Sequence, residues 1–233
     1  MIDDIKEENL FMVAGIFKIV EGGLKMSSSH TGASPGPGAL CALSVVCFCF
    51  FALLTGKVPH EAAPALIGIC LAGGLIQIIA AILDLKHGDI VGGTTFFVFG
   101  GFFMLAVGIN QAVHFAAAIS KVHFSPGMDG WFFLVLAIIL ILLTPSFATV
   151  SSIFFVALLL ADGAVLLLGL ANLKLVGHAM VVVAAWMILI LGMIGLYLVF
   201  AQVYNTAVGS KIFPLGSPLI KKHAPPPAQN IQG

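Results

Sequence analysis

Six runs of apolar residues, each cut from the next by proline, glycine or charge, are the feature that most limits what this chain can become. They cover residues 38–56, 64–83, 91–112, 130–144, 150–171 and 177–203. A helix needs about 20 predominantly apolar residues to cross the hydrocarbon of a bilayer. Within lipid every backbone N–H and C=O has to find its partner inside the protein, so such runs cross as helices. The expected fold is an all-α membrane protein with six transmembrane helices. The fourth run is the anomaly, because Gly130 to Thr144 is only 15 residues. At 1.5 Å per residue it reaches about 22 Å, short of the roughly 30 Å hydrocarbon core. That span has to continue past Pro145 or thin the membrane.

Composition removes most other classes. Of the 233 residues 60% are hydrophobic and 9% charged, where soluble domains carry about 25% charged residues. Ten lysines balance ten acidic residues, and arginine is absent. The chain thus lacks the bidentate forks that clamp phosphates, and nucleic acid is not an expected partner. Cys41, Cys47, Cys49 and Cys70 lie in apolar runs without CxxC spacing or a neighbouring histidine, and read as small core hydrophobes. No two of the seven histidines stand three or four residues apart, so neither a zinc helix nor a haem pair is expected. His114, with Asn110 and Gln111, falls at the outer end of the third span. Nucleotide-binding fingerprints and a catalytic constellation are missing. The expectation is a protein without cofactor, metal or enzymatic activity.

Three regions follow. Residues 1–33 form an N-terminal segment in which Ile5, Leu10, Val13, Ile16, Phe17 and Val20 recur about one helical turn apart among charges. Such a pattern suits an amphipathic helix lying on the membrane surface. No basic stretch leads directly into an apolar run and cleavage site, so a cleaved secretory signal is not expected. Residues 34–216 hold the six spans. Residues 217–233 form a proline-rich tail whose composition cannot bury apolar surface and is expected to be disordered. Six spans put both termini on one side, with seven of the ten lysines. The positive-inside rule makes that side cytoplasmic, and the plasma membrane is the expected location.

Within the spans a few residues invite a chemical reading. Ser34-Pro35-Gly36-Pro37-Gly38 opens the first span, and Ser125-Pro126-Gly127-Met128-Asp129-Gly130 opens the fourth. Matching interruptions in two three-helix halves would fit a 3+3 inverted repeat with a permeation site nearby. Ser-Pro-Gly is also ordinary turn chemistry. A helix opening at Pro35, Pro37 and Gly38 could cradle a carboxylate with the unpartnered backbone N–H groups of its first turn, aided by the helix dipole. Thr94 and Thr95 would add hydroxyls at the start of the third span, although small residues there also suit close helix packing. Gln77 is an amide well inside the second span, on the face of Gly73 and Gly74. It reads equally as a substrate contact or as an interhelical hydrogen bond. Asp162 stands mid-span, where a carboxylate costs about 2.5–3.5 kcal/mol. It either handles a proton or is hydrogen-bonded to a neighbouring helix.

The block Ala72-Gly73-Gly74-Leu75-Ile76-Gln77, then Asp84-Leu85-Lys86-His87-Gly88-Asp89-Ile90-Val91-Gly92, then Phe96 to Gly100 resembles the acetate uptake transporter family, the succinate-acetate permeases. Phe213-Pro214-Leu215-Gly216 also falls in register, and the likeness covers about residues 34–216. The departures are Ser34 in place of the family's opening Asn, Asp89 for the Asn of its G-N-x-x-G, and Phe99 for its Tyr. The resemblance implies passage of acetate and related small monocarboxylates, in some members succinate, and a homo-hexamer in the lipid bilayer with one pore per subunit. It also implies an apolar constriction, which by alignment falls on Leu43, Phe99 and Leu158. Asp162 is then one turn from Leu158 and a candidate for proton coupling. Against this stand a channel for a neutral solute such as ammonia or urea, and a membrane scaffold or sensor that transports nothing.

Overall fold

Each apolar run becomes one helix in the computed structural model, which describes residues 33–220 apart from Phe124, Pro126 and the side chain of His60. The helices are α1 Gly36–Leu54, α2 Ala63–Lys86, α3 Ile90–Ile119, α4 Gly127–Phe147, α5 Ser152–Asn172 and α6 His178–Val208, and all six are long and apolar enough to cross a membrane. No strand occurs among the described residues. The amphipathic helix expected over residues 2–20 lies outside them, as does the tail beyond Ile220.

The fourth span resolves its length problem in both directions. It starts at Gly127 and continues through Pro145 to Phe147, which at 1.5 Å per residue gives about 31 Å. Proline withholds one N–H from the helix, but only two helical residues follow it. Asp129 sits in the first turn, where the helix dipole favours a carboxylate. The third span is also longer than expected, and residues Phe99–Ala106 within it are π-helical. The sixth ends at Gly209, whose φ of 71° is the left-handed stop that glycine provides at little cost.

Helices α2 and α3 close on each other backbone to backbone. A Cβ placed on Gly74 would fall 2.6 Å from Leu105 Cγ and 2.8 Å from the Gly100 carbonyl oxygen. One placed on Gly100 would fall 2.9 Å from Gln77 Cβ. Small residues let membrane helices approach this far and gain dispersion contacts that lipid cannot supply. Helix α1 lies along α6 and α2, and α5 lies between α4 and α6. At the first of these contacts a Cβ on Gly192 would fall 2.8 Å from Cys47 Cβ. The shared core includes Cys47, Phe99, Leu136, Leu140, Ala161 and Val165. Helices α3 and α4 meet over far fewer residues.

The segment after α6 turns back and is pinned. Asn205 Oδ1 accepts from the amides of Ile212 and Phe213, both at 2.9 Å, while its Nδ2 donates to Phe213 O at 2.7 Å. The Tyr197 hydroxyl donates to Pro214 O at 2.7 Å, and the Ser151 hydroxyl to Leu215 O at 2.6 Å. Gly216 has a φ of +80°, and a Cβ there would fall 2.9 Å from the Ile153 amide nitrogen. The order extends past the expected boundary at residue 216. Ser217 O accepts from the Ser152 amide at 2.9 Å, and the amides of Leu219 and Ile220 donate to Ala148 O.

The glycine contacts predict a sharp contrast. Gly74→Ala should lower the detergent melting temperature, by an amount corresponding to about 1–3 kcal/mol of overpacking. Gly177→Ala, at a position where a Cβ meets nothing within 4 Å, should leave it unchanged. Equal melting temperatures for the two variants would contradict the close α2–α3 contact.

Candidate functional site

At the end where the chain enters α1 and leaves α6, a cavity of about 180 Å³ opens among α1, α2, α3, α5, the middle of α6 and the end of α4. Its wall includes Leu43, Phe99 and Leu158, the three residues expected at the constriction. They lie seven, nine and six residues in from the starts of α1, α3 and α5, and so about 9–14 Å along each helix axis. Three helices thus bring an apolar side chain to a similar depth. Phe99 is 6% exposed and Leu158 5%. Phe99 also opens the π-helical segment, and its ring lies 5.0 Å from that of Phe103, centroid to centroid. Wide turns of this kind re-aim the side chains that follow them.

Two residues of this wall carry a buried polar atom without a partner. Gln77 is completely buried, and its Nε2 donates to Ala39 O at 3.1 Å. Its Oε1 has no hydrogen-bond partner, and neither has the Oγ1 of Thr95, which is 6% exposed. Leaving such a group unmet costs about 1–3 kcal/mol. Among the described residues these are the buried side-chain polar atoms without a partner, and both belong to residues lining one cavity. The Gln77 nitrogen thus joins α2 to α1, as the interhelical reading expects, and its oxygen has no partner in the protein.

Carboxylates border the same space. Asp84, buried at 6% exposure, and Asp89 both line the cavity. Asp89 caps α3, its Oδ1 accepting from the Gly92 amide at 2.9 Å. Aspartate and asparagine cap equally well, so the departure from the family's Asn keeps this turn intact. Asp84 was not among the site residues expected from sequence. The available signal was its spacing, since 77 plus 7 is 84 and residues seven apart share a helix face.

The opening of α1 differs from the expectation. The Gly36 amide donates to Ser34 Oγ at 3.2 Å, and the amides of Gly38 and Ala39 donate to Pro35 O at 3.1 and 3.3 Å. Prolines 35 and 37 have no N–H to offer. The helix start thus satisfies its own donors and leaves no amide cradle at Pro35, Pro37 and Gly38. Those three residues and Thr94 do not line the cavity, whereas Ser34, Gly36 and Thr95 do. Gln202, on α6, also joins the wall without having been expected.

Asp162 stays outside the wall, one turn beyond Leu158 and 8% exposed. Thr144 Oγ1 lies 2.9 Å from Leu140 O and 3.1 Å from Asp162 Oδ1. A hydroxyl carries one hydrogen. Thr144 shares it between Leu140 O and Asp162 Oδ1.

A second cavity, of about 320 Å³, opens at the opposite end of the bundle. Asn110, Gln111 and His114 of α3 meet Asp129 of α4 and Asn172 of α5 there. The polar residues noted at the end of the third span are thus gathered with an acidic partner that the sequence did not single out. No group of three or more histidine, cysteine or acidic side chains among the described residues is placed to hold a metal ion.

Comparison with known proteins adds a family and a fold. Residues 17–215 match the GPR1/FUN34/yaaH family. The fold is similar to that in a structure described as the bacterial acetate channel SatP, with a TM-score of 0.68 at 21% sequence identity. The match covers 80% of this chain and 100% of that one. No curated protein matches the chain by sequence.

The unpartnered Thr95 hydroxyl predicts an unusual substitution. Thr95→Val removes a buried polar atom that bonds to nothing in the protein, so the melting temperature in detergent should hold or rise. A fall of several degrees would mean that the hydroxyl has a protein partner.

Proposed function

Since this chain belongs to the GPR1/FUN34/yaaH family, we propose that it is a membrane channel or transporter for acetate and related small monocarboxylates. The observation that carries this reading is that Gln77 and Thr95, whose Oε1 and Oγ1 have no hydrogen-bond partner, line one cavity together with the apolar trio Leu43, Phe99 and Leu158. A carboxylic acid offers one O–H donor and a carbonyl acceptor. The donor suits Gln77 Oε1, and the acceptor suits the Thr95 hydroxyl. The carboxylates of Asp84 and Asp89 at the same cavity repel an anion and tolerate a neutral acid. An apolar neck strips water from whatever passes and penalises a bare charge in the same direction. On this reading passage is linked to a proton, and Asp162, hydrogen-bonded by Thr144 one turn from Leu158, exchanges it. Phe99 sets the width of the neck and the limit on substrate size.

The substrate path lies in the plasma membrane with both termini in the cytoplasm, on the lysine-rich side. Subunits assemble as a homo-hexamer. Ala65, Gly68 and Ala72 support this, because they form an exposed stripe on α2 where a Cβ on Gly68 would meet nothing within 4 Å. Native mass spectrometry in mild detergent should show the hexamer, and monomers alone would contradict it.

Uptake of labelled acetate, urea and methylammonium into liposomes holding the purified protein tests the function. Acetate uptake should saturate and should rise as external pH falls from 7.5 to 5. Over that range the protonated fraction of a carboxylic acid with a pKa near 4–5 grows about tenfold per pH unit. Saturable urea or methylammonium uptake without acetate would select a neutral-solute channel, and no uptake at all a scaffold. Flux of acetate that ignores pH would remove the proton linkage. Asp162→Asn should flatten the pH profile, and an unchanged profile would make Asp162 structural. In the same assay Phe99→Ala should raise the succinate-to-acetate flux ratio severalfold, and Phe99→Tyr should increase acetate flux. An unchanged ratio with a lower melting temperature would mean that Phe99 only packs.

A further inference from the structure

The second cavity already contains a carboxylate held the way a substrate would be. Asn110 and His114 stand four residues apart on α3 and so share one face. Asn110 Nδ2 donates to Asp129 Oδ1 at 3.2 Å, and His114 Nε2 lies 2.7 Å from Asp129 Oδ2. Each oxygen of the Asp129 carboxylate therefore has its own nitrogen partner on α3. The shorter distance is in the range of charge-assisted hydrogen bonds. The His114 side chain is 31% exposed and that of Asp129 18%, and both line the open cavity. A small solute can reach both. They are the ionisable residues among those lining it; Gln111 and Asn172 complete its polar side.

We propose that Asn110 and His114 form a carboxylate-binding site at this end of the path, and that Asp129 is its resident occupant, displaced by each monocarboxylate that passes. The inference rests on the reading that the chain conducts monocarboxylates. Two features make displacement feasible. Helices α3 and α4 meet over few residues, so little else fixes the distance between the His114 and Asp129 backbones. Asp129 also sits in the first turn of α4, where the dipole continues to stabilise its charge after it leaves the imidazole. A tethered carboxylate competes at the millimolar effective concentrations typical of short connections. Free acetate therefore binds weakly in the native chain. Removing the tethered competitor tightens it.

Histidine-selective ¹⁵N NMR of the full chain in liposomes reads the site directly, with the His114 signal identified by its loss in His114→Gln. Acetate should move the His114 signal of Asp129→Asn at concentrations at least about tenfold lower than it does in the native chain, the tethered competitor being gone. Asp129→Ser gives the same comparison if the amide variant does not assemble. Asn110→Ala in either background should weaken the response. A His114 signal indifferent to acetate in the Asp129 variants, or one that responds at the native concentration, overturns the proposal. Acetate flux measured on the same liposomes separates the two readings. Flux with an indifferent His114 leaves the transport function standing and removes this site, whereas an acetate-responsive His114 without flux keeps the site and removes the function.

Discussion

The backbone contact between α2 and α3 is the constraint from which the site follows. Gly74 and Gly100 leave no room for a Cβ between the two helices. At that distance Gln77, one turn beyond Gly73 on the same face, is sealed from solvent completely. A buried amide in lipid needs partners for both its ends. Ala39 O serves the nitrogen and leaves the oxygen unpaired. The same contact fixes Gly100, and with it the neighbouring Phe99, whose ring joins Leu43 and Leu158 in the cavity wall. One packing decision thus places both the polar and the apolar halves of the site.

The two ends of the bundle are built by different means. At the end where the chain enters α1, prolines and glycines close the helix start on itself, and the returning C-terminal segment ties α6 to the start of α5 through Ser151 and Asn205. Gly216 is required there by both its φ and its surroundings. At the other end, side chains rather than backbone make the connection, since Asn110 and His114 reach Asp129 across the loosely packed α3–α4 contact. The first end is joined mainly through backbone groups, the second through side chains.

Much of this was legible in the sequence. Length and hydropathy are additive along a chain, so six spans could be counted before any contact was known, and the shortfall of the fourth span already called for either a helix past Pro145 or a thinned membrane. The trio Leu43, Phe99 and Leu158 was located through the family resemblance, and the structure brings all three to one cavity. The helix start at Pro35, Pro37 and Gly38 was misjudged because amides look free when a helix is considered alone. Whether Ser34 Oγ and Pro35 O take them up depends on local geometry that no spacing rule supplies. Asp84 and Asp129 were underrated for a related reason. A carboxylate near a span end costs little, so neither violates hydropathy, and only tertiary packing reveals what each faces.

The central claim is that a small carboxylic acid passes through the cavity in contact with Gln77 and beside Phe99. Solid-state NMR on ¹³C-carboxyl acetate and protein labelled with ¹⁵N in glutamine side chains measures this directly, because Gln77 Nε2 is attached to the same carbon as the unpaired Oε1. With hydrogen-bonded heavy atoms about 3 Å apart, the account predicts a dipolar contact between the acetate carboxyl carbon and Gln77 Nε2, lost in Gln77→Leu. Liposomes that carry acetate across their membrane yet show no such contact at saturating acetate would contradict it.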